Sequence, residues 1–185
     1  MRIHVTYTGG TIGMVDSPRG LVPGADQESR FDAVLKEAGG SIGSISLTAL
    51  SPLIDSSDAA PESWQRIIDD LRAGASDADA FVVLHGTDTM AHTCAALSYA
   101  LTDLDRPVVV TGSQLPLGAV GSDAAPNIAG ALHAAASRRA RGVSLFFGHR
   151  LLAGNRAVKA SSWAFDAFDS PAVAPLARAG APWRW

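Results

Sequence analysis

Five short apolar runs recur along the chain, and each has the length and β-branched content of a buried strand. The runs occupy residues 3–7, 46–50, 80–84, 107–111 and 143–147. Between them, apolar residues at helical spacing predict helices over residues 31–38, 61–72, 90–101 and 125–138. Strand and helix therefore alternate. This pattern predicts an α/β fold with a mainly parallel sheet and helices on both faces, a three-layer arrangement of the Rossmann or flavodoxin type.

The length of 185 residues suits one domain with its own hydrophobic core. After residue 161 the sequence becomes rich in alanine and proline, and it ends in Pro182-Trp183-Arg184-Trp185. We interpret residues 1–161 as the α/β domain and residues 162–185 as a trailing segment or interdomain linker.

Charge and cysteine content narrow the class of partner. The formal net charge of −3 argues against nucleic acid as a partner, because phosphate binding needs a basic face. The cluster Arg138, Arg139 and Arg141 is typical of a solvated helix end. The single cysteine, Cys94, excludes an internal disulfide framework and a multi-thiolate zinc site.

The N-terminus runs directly into strand-like residues, without a basic leader and an apolar segment before a cleavage site. No stretch of sequence is long and apolar enough to cross a bilayer. We therefore expect a cytoplasmic protein that does not bind membranes.

Hydroxyl, carboxylate and glycine residues follow four of the predicted strands. Because ligands bind at the carboxyl ends of the strands in an open parallel sheet, these four loops are the expected site. An alternative is that such residues only form turns and helix N-caps, which explains any one loop better than all four together. The loops are Thr8-Gly9-Gly10-Thr11-Ile12-Gly13, Asp55-Ser56-Ser57-Asp58, His85-Gly86-Thr87-Asp88-Thr89 and Thr111-Gly112-Ser113-Gln114.

Some chemistries are disfavoured by what these loops lack. The first loop has neither the Gly-Lys-Ser/Thr ending of a P-loop nor Gly-x-Gly-x-x-Gly spacing, so nucleotide binding is a minor hypothesis. None of the four loops contains Gly-x-Ser-x-Gly, which disfavours a lipase-like serine in them. A hydroxyl nucleophile needs a base, and two candidates are His85 at a strand end and Lys159, which could act beside Asp88.

Three of these loops resemble the signatures of bacterial-type L-asparaginases, and the resemblance covers nearly the whole chain. The segment Leu53-Ile54-Asp55-Ser56-Ser57-Asp58 and the segment Gly154-Asn155-Arg156 with Lys159 are also similar to the family, and the Asp-Ser-Ser-Asp form is closest to its cytoplasmic type I branch. The three signature segments are Tyr7-Thr8-Gly9-Gly10-Thr11-Ile12-Gly13, His85-Gly86-Thr87-Asp88-Thr89-Met90 and Thr111-Gly112-Ser113-Gln114.

The resemblance implies an amidohydrolase that converts L-asparagine to L-aspartate and ammonia. By this resemblance Thr11 is the nucleophile and forms an acyl-enzyme, while Thr87, Asp88 and Lys159 form the supporting catalytic triad. Backbone amides near Thr87 are the implied oxyanion hole. Side activity on L-glutamine is expected, because pockets discriminate one methylene by only about 1–3 kcal/mol.

The resemblance also implies how the substrate is held, and it implies no metal and no organic cofactor. Ser56, Ser57 and Asp88 are expected to bind the α-amino and α-carboxylate groups, with Asp58 as a weaker candidate. The remaining substrate-binding residues implied by the motifs are Gly10, Gly86 and Ser113.

Two departures from the family pattern stand out. The family has a tyrosine in the loop after the first threonine motif, and Leu21 stands at that place here. Gly13, Gly20 and Gly24 still suit a hinged lid.

The second departure is length, because family members are roughly twice as long and add a smaller C-terminal domain that completes the site across a dimer. We therefore expect either a short-chain form or an isolated N-terminal domain of the family. Either one lacks the smaller domain, and we expect it to self-associate as a dimer or higher homo-oligomer through surfaces that include exposed Trp183 and Trp185. The alternative function is a non-catalytic module that binds aspartate or asparagine, or an inactive N-terminal fragment.

Overall fold

Strands and helices alternate in the computed structural model, which describes residues 1–40 and 42–185. In chain order the elements are β1 (Arg2–Tyr7), β2 (Met14–Ser17), β3 (Gly20–Pro23), α1 (Gln27–Gly39), β4 (Ser44–Ala49), α2 (Pro61–Ala73), β5 (Ala80–Leu84), α3 (Met90–Ala100), β6 (Val108–Thr111), α4 (Ala124–Ala136), β7 (Val143–Phe147), β8 (Arg150–Ala153), β9 (Val158–Lys159), β10 (Phe168–Asp169) and β11 (Ala177–Arg178). Short 3-10 turns lie at Thr11–Gly13 and Ser56–Asp58.

The central sheet has the strand order β11-β8-β7-β6-β5-β1-β4 within the described residues. β4, β1, β5, β6 and β7 run parallel, whereas β8 and β11 pair antiparallel at one edge. The predicted mainly parallel α/β sheet is therefore confirmed. The carboxyl ends of parallel strands all lie on the same side of the sheet. The loops that follow β1, β4, β5 and β6 are therefore neighbours on that side.

Helices cover both faces of the sheet, as the sequence pattern predicts. α1 and α4 lie on one face, where Val5 and Val82 are buried, and α2 and α3 lie on the other, where Val83 and Val110 are buried. β5 is buried throughout because both of its faces are covered. Each such side chain contributes about 1.5–3 kcal/mol by leaving water. The core thus fixes the strands that position the loops. None of the helices in the described residues has the length and apolar character needed to cross a bilayer.

The end of the chain folds back onto the domain. β10 pairs with β9, and β11 extends the main sheet beyond β8. The ring of Trp183 stacks at 4.4 Å on His133 and at 5.6 Å on Phe146, measured between centroids. Trp183 is therefore half-buried, and the expectation that it is exposed is wrong because α4 and β7 offer it two rings. Trp185 is 38% exposed, in agreement with the expectation.

Candidate active site

Three loops meet so closely beyond β1, β4 and β5 that glycine is required at the contacts. A Cβ on Gly10, whose φ is +88°, would lie 2.4 Å from the Cα of Gly86. A Cβ on Gly86 would lie 2.3 Å from the Oγ of Ser56. Side chains other than hydrogen do not fit such gaps, and a positive φ is also unfavourable for them. Gly10, Gly86 and Ser56 are therefore brought together, as the loop pattern predicts.

Thr11 follows this contact directly and begins the 3-10 turn Thr11–Gly13. Its side chain is half-buried, whereas Ile12 beside it is fully buried in the core. The carbonyl of Ile12 accepts a hydrogen bond of 3.0 Å from the amide of Leu117, in the loop after β6. A buried neighbour and this backbone bond hold the turn, so that the Thr11 hydroxyl lies on a fixed backbone.

Thr87, Asp88 and Lys159 form one hydrogen-bonded group. The Nζ of Lys159 donates to the Oγ1 of Thr87 over 3.0 Å and to the Oδ1 of Asp88 over 2.7 Å. Thr87 is 7% exposed, and the side chain of Lys159 is 18% exposed. Lys159 reaches the group because β9 runs back towards the loop after β5, paired with β10. The structure thus joins Lys159 to two adjacent residues, Thr87 and Asp88, which lie 72 and 71 positions earlier in the sequence.

The loop after β4 is held by its own carboxylate. The Oδ1 of Asp55 accepts hydrogen bonds from the amide and the hydroxyl of Ser57, at 2.9 Å and 2.8 Å. The carbonyl of Ser56 accepts a bond of 2.6 Å from the hydroxyl of Thr89. Ser56 is buried against Gly86, whereas Ser57 and Asp58 are exposed. Asp55 therefore organises a turn that presents its neighbours.

His85 is held in the interior by hydrogen bonds at both ring nitrogens. It is fully buried, and its Nδ1 lies 2.7 Å from the carbonyl oxygen of Gly86, which can only accept a hydrogen bond. Its Nε2 lies 3.1 Å from the hydroxyl of Thr93, which itself accepts from Nε1 of Trp64. Burial lowers the pKa of His85, partly offset by the bond to Gly86. A neutral ring with its proton on Nδ1 satisfies all of these contacts. Of the two candidate bases, Lys159 is the one in contact with Thr87.

Ser113 and Gln114 differ in what they contact. Ser113 is buried, and its hydroxyl donates over 2.5 Å to the carbonyl of Leu115 in its own turn. The Gln114 side chain contacts Thr87, because its Oε1 accepts from the Thr87 hydroxyl at 3.4 Å. Gln114 ends one of the four loop motifs, but the motif alone assigns it no role. The signal that could have identified it is its place directly after a strand.

The segment between Gly13 and Gly24 is a regular β-hairpin. β2 and β3 pair antiparallel, and the amide of Gly24 donates over 3.1 Å to the carbonyl of Gly13, which closes the base. Leu21 is 44% exposed on the second strand. Arg30 of α1 donates to the carbonyls of Met14 at 3.4 Å and Leu117 at 3.1 Å. The expected lid is therefore a hairpin whose base is held beside the Thr11 turn.

Comparison with known proteins agrees with this arrangement. The model of the asparaginase N-terminal family matches residues 2–185. The chain is 47% identical over 179 residues to L-asparaginase 1 of Escherichia coli (strain K12). This alignment covers 96% of this chain and 53% of that protein. The chain spans about half the length of the curated relatives it matches.

Solved structures give the same result. L-asparaginase I from Vibrio cholerae O1 biovar eltor aligns with a TM-score of 0.91 and 41% identity, over 99% of this chain and 55% of that one. A structure named "Probable Cytoplasmic L-asparaginase" from Campylobacter jejuni aligns with a TM-score of 0.81 and 33% identity, over 96% of this chain and 55% of that one. On sequence, fold and loop arrangement together, this chain belongs to the asparaginase family.

Proposed function

We propose that this chain carries the hydrolysis of L-asparagine to L-aspartate and ammonia, with Thr11 as the nucleophile. The observation that supports this most is the Thr87–Lys159–Asp88 group, which lies beside the Gly10–Gly86 contact that leads into Thr11. A hydroxyl nucleophile needs neighbouring groups that accept and return a proton, and a lysine bound to a hydroxyl and a carboxylate meets that need.

In the first proposed step, the Oγ1 of Thr11 attacks the carbon of the side-chain amide. The Thr11 hydroxyl loses its proton, the C–N bond breaks, and the nitrogen leaves as ammonia with that proton. The product is an ester between Thr11 and the β-carboxyl group of aspartate. In the second step, water attacks the ester carbon, the C–O bond to Thr11 breaks, and Thr11 regains its proton as aspartate leaves. Lys159 with Thr87 and Asp88 moves these protons.

Backbone amides near Thr87 are proposed to stabilise the negative charge on the carbonyl oxygen during both steps. The fixed carbonyl of Gly86 favours this, because in a trans peptide the amide of Thr87 points opposite to the oxygen that His85 holds. A fixed donor of this kind is worth about 3 kcal/mol of barrier.

Substrate binding is proposed for the residues at the mouth of the crevice. Ser57 and Asp58 are exposed there, Ser56 lies against Gly86, and Asp88 keeps 59% of its side chain exposed. These hydroxyl and carboxylate groups suit the α-amino and α-carboxylate groups of an amino acid. Gly10, Gly86 and Ser113 complete the proposed binding set through their backbone, and L-glutamine is proposed as a side substrate.

Cytoplasmic location and homo-oligomer formation are part of this proposal. The name of the Campylobacter jejuni neighbour supports the location, and the single cysteine, Cys94, permits a reducing compartment. Exposed Trp163 and Val120, at 84% and 101%, support self-association, and sedimentation of a strict monomer at micromolar concentration would argue against it.

Ammonia release from L-asparagine tests the proposed activity. We expect turnover by the wild-type chain and its loss in Thr11→Ala and Lys159→Ala. Matched controls are Thr102→Ala, at an exposed threonine, and Lys36→Ala, at a lysine with 76% of its side chain exposed. An inert wild-type chain that binds aspartate by calorimetry would instead identify a binding module.

A further inference from the structure

The carboxamide of Gln114 connects two segments whose relative position matters for the proposed reaction. Its Oε1 accepts from the hydroxyl of Thr87 at 3.4 Å, and its Nε2 donates over 3.0 Å to the carbonyl of Ala164. Ala164 lies in the connection between β9, which carries Lys159, and β10. One side chain therefore bridges the loop of Thr87 and the hairpin of Lys159.

The hydrogen-bond directions around Thr87 depend on this bridge. Lys159 donates to the Thr87 oxygen, so the Thr87 proton has to point to another acceptor. The carboxamide oxygen of Gln114 is that acceptor. The Ala164 carbonyl fixes the orientation of the amide, because turning the amide over would place its oxygen against that carbonyl, and two acceptors repel each other. The orientation of the Thr87 hydroxyl is therefore set by Gln114.

The backbone of Gln114 is itself anchored. Its amide donates to both carboxylate oxygens of Asp123, at 3.1 Å and 2.9 Å, and the amide of Leu115 donates to the same carboxylate at 3.1 Å. Asp123 is buried and also accepts from Asn127 at 3.2 Å. A charged group with several donors holds the loop rigidly. The bridge thus rests on a fixed support.

We infer that Gln114 is a positioning residue for the Thr87–Lys159 pair, acting through the Thr87 hydroxyl and the Ala164 carbonyl. This inference rests on the proposed function for its catalytic meaning. Its structural content, that Gln114 controls the surroundings of the Lys159 amine, can be measured without turnover.

Lysine labelling gives the first test, because the sequence has only two lysines, Lys36 and Lys159. Acetic anhydride reacts with the neutral, accessible amine, and peptide mass spectrometry reads each site separately. Gln114→Met keeps the length of the side chain without its hydrogen bonds, so the Thr87 hydroxyl, which accepts from the Lys159 amine, loses its bond to Gln114 and is free to rotate. We expect Lys159 to be labelled about threefold faster or more. In Gln114→Glu, a negative charge beside Thr87 favours the ammonium form, and labelling slows by about threefold.

Two controls make the result specific. Lys36 labelling is expected to stay unchanged in every variant, and Gln65→Met alters an exposed glutamine of α2 without affecting Lys159. Unfolding can only accelerate labelling. Opposite changes in the Lys159 labelling rate in the two Gln114 variants therefore cannot come from unfolding. Lys159 rates within about 1.5-fold of wild type in both Gln114 variants, or equal changes in Gln65→Met, would overturn the inference.

Turnover gives the second test. With L-asparagine, Gln114→Met is expected to lower kcat about tenfold while KM changes less than about threefold, because the substrate-binding groups are untouched. A wild-type kcat in Gln114→Met would overturn the positioning role. If the wild-type chain itself releases no ammonia, the proposed function fails, and the labelling experiment still decides the role of Gln114.

Discussion

The amine of Lys159 lies 3.0 Å from the hydroxyl of Thr87, although 72 positions separate the two residues in the chain. The contact depends on the path of β9, which leaves the edge of the main sheet and returns towards the carboxyl ends of the parallel strands. Neither residue has a specific chemical role alone. Together they give the crevice a hydroxyl and an amine that can exchange a proton.

Removing the Thr87 hydroxyl tests this relationship. Thr87→Val keeps the side-chain shape and removes both the acceptor for Lys159 and the donor to Gln114. We expect kcat for L-asparagine to fall by about 10²–10⁴-fold. The substitution Thr102→Val, at an exposed site, should leave kcat unchanged. Steady-state kinetics on both variants decides the matter, and a Thr87→Val enzyme with wild-type kcat would remove Thr87 from the mechanism.

The close approach of Gly10 to Gly86 predicts a large stability difference between two glycines. Gly10→Ala would put a Cβ 2.4 Å from the Cα of Gly86, at a φ of +88°. Gly20 has a similar φ of +92° with nothing within 4 Å of the added Cβ. We expect Gly20→Ala to lower the free energy of unfolding by about 1 kcal/mol and Gly10→Ala by about 3 kcal/mol or more. Urea denaturation measures both, and equal losses would contradict the close contact.

The Asp70 carboxylate predicts an acid-sensitive part of the stability. Burial alone would raise the pKa of Asp70, but hydrogen bonds from His4 and Thr6 and the charge of His4 outweigh it and lower the pKa. A lowered pKa in the folded state stabilises the protein at neutral pH, and that contribution is lost as the pH falls through the folded pKa, below the ordinary carboxyl range.

Replacement by asparagine should remove this dependence. Between about pH 5 and about pH 2, Asp70→Asn is expected to lose less unfolding free energy than the wild-type chain. Asp69→Asn, at the exposed neighbouring position, should keep the wild-type dependence. Urea titrations at several pH values give the comparison, and parallel curves for wild type and Asp70→Asn would refute the assignment.

Arg30 predicts how firmly the hairpin is held beside Thr11. Arg30→Met removes the hydrogen bonds to the carbonyls of Met14 and Leu117, so that the base of the hairpin should open more often. We expect chymotrypsin to cleave after Leu21 about fivefold faster. Arg19→Met, at the exposed tip, serves as the control. Equal cleavage rates in Arg30→Met and the wild-type chain would show that the Arg30 hydrogen bonds do not stabilise the hairpin.

The sequence predicts the centre of the fold better than its edges. Five apolar runs and four helical segments correspond to the parallel strands and to α1–α4, because strands buried on both faces have a strong sequence pattern. The two-residue strands β10 and β11 are too short for any periodicity. Their pairing depends on distant partners, so the alanine- and proline-rich end of the chain gives no local sign that it returns to the sheet.

The candidate site shows the same division. Gly10, Ser56, Gly86 and Thr87 follow parallel strands, and their convergence could be predicted from strand order alone. The bridge from Gln114 to Ala164 could not, because it depends on the return of the chain after β9. The sequence also does not predict that His85 is buried with hydrogen-bond partners for both ring nitrogens, because these partners are set by the packing of separate segments.

Thr11 is proposed to form an ester with the substrate, and trapping that ester is the decisive measurement. Wild-type chain turning over L-asparagine would be quenched in acid, digested and examined by mass spectrometry, beside Thr11→Ala and Thr102→Ala. We expect an added aspartyl group on the peptide that contains Thr11, present in wild type and Thr102→Ala and absent in Thr11→Ala. Ammonia release with no adduct on Thr11, or with the adduct on another residue, would contradict it.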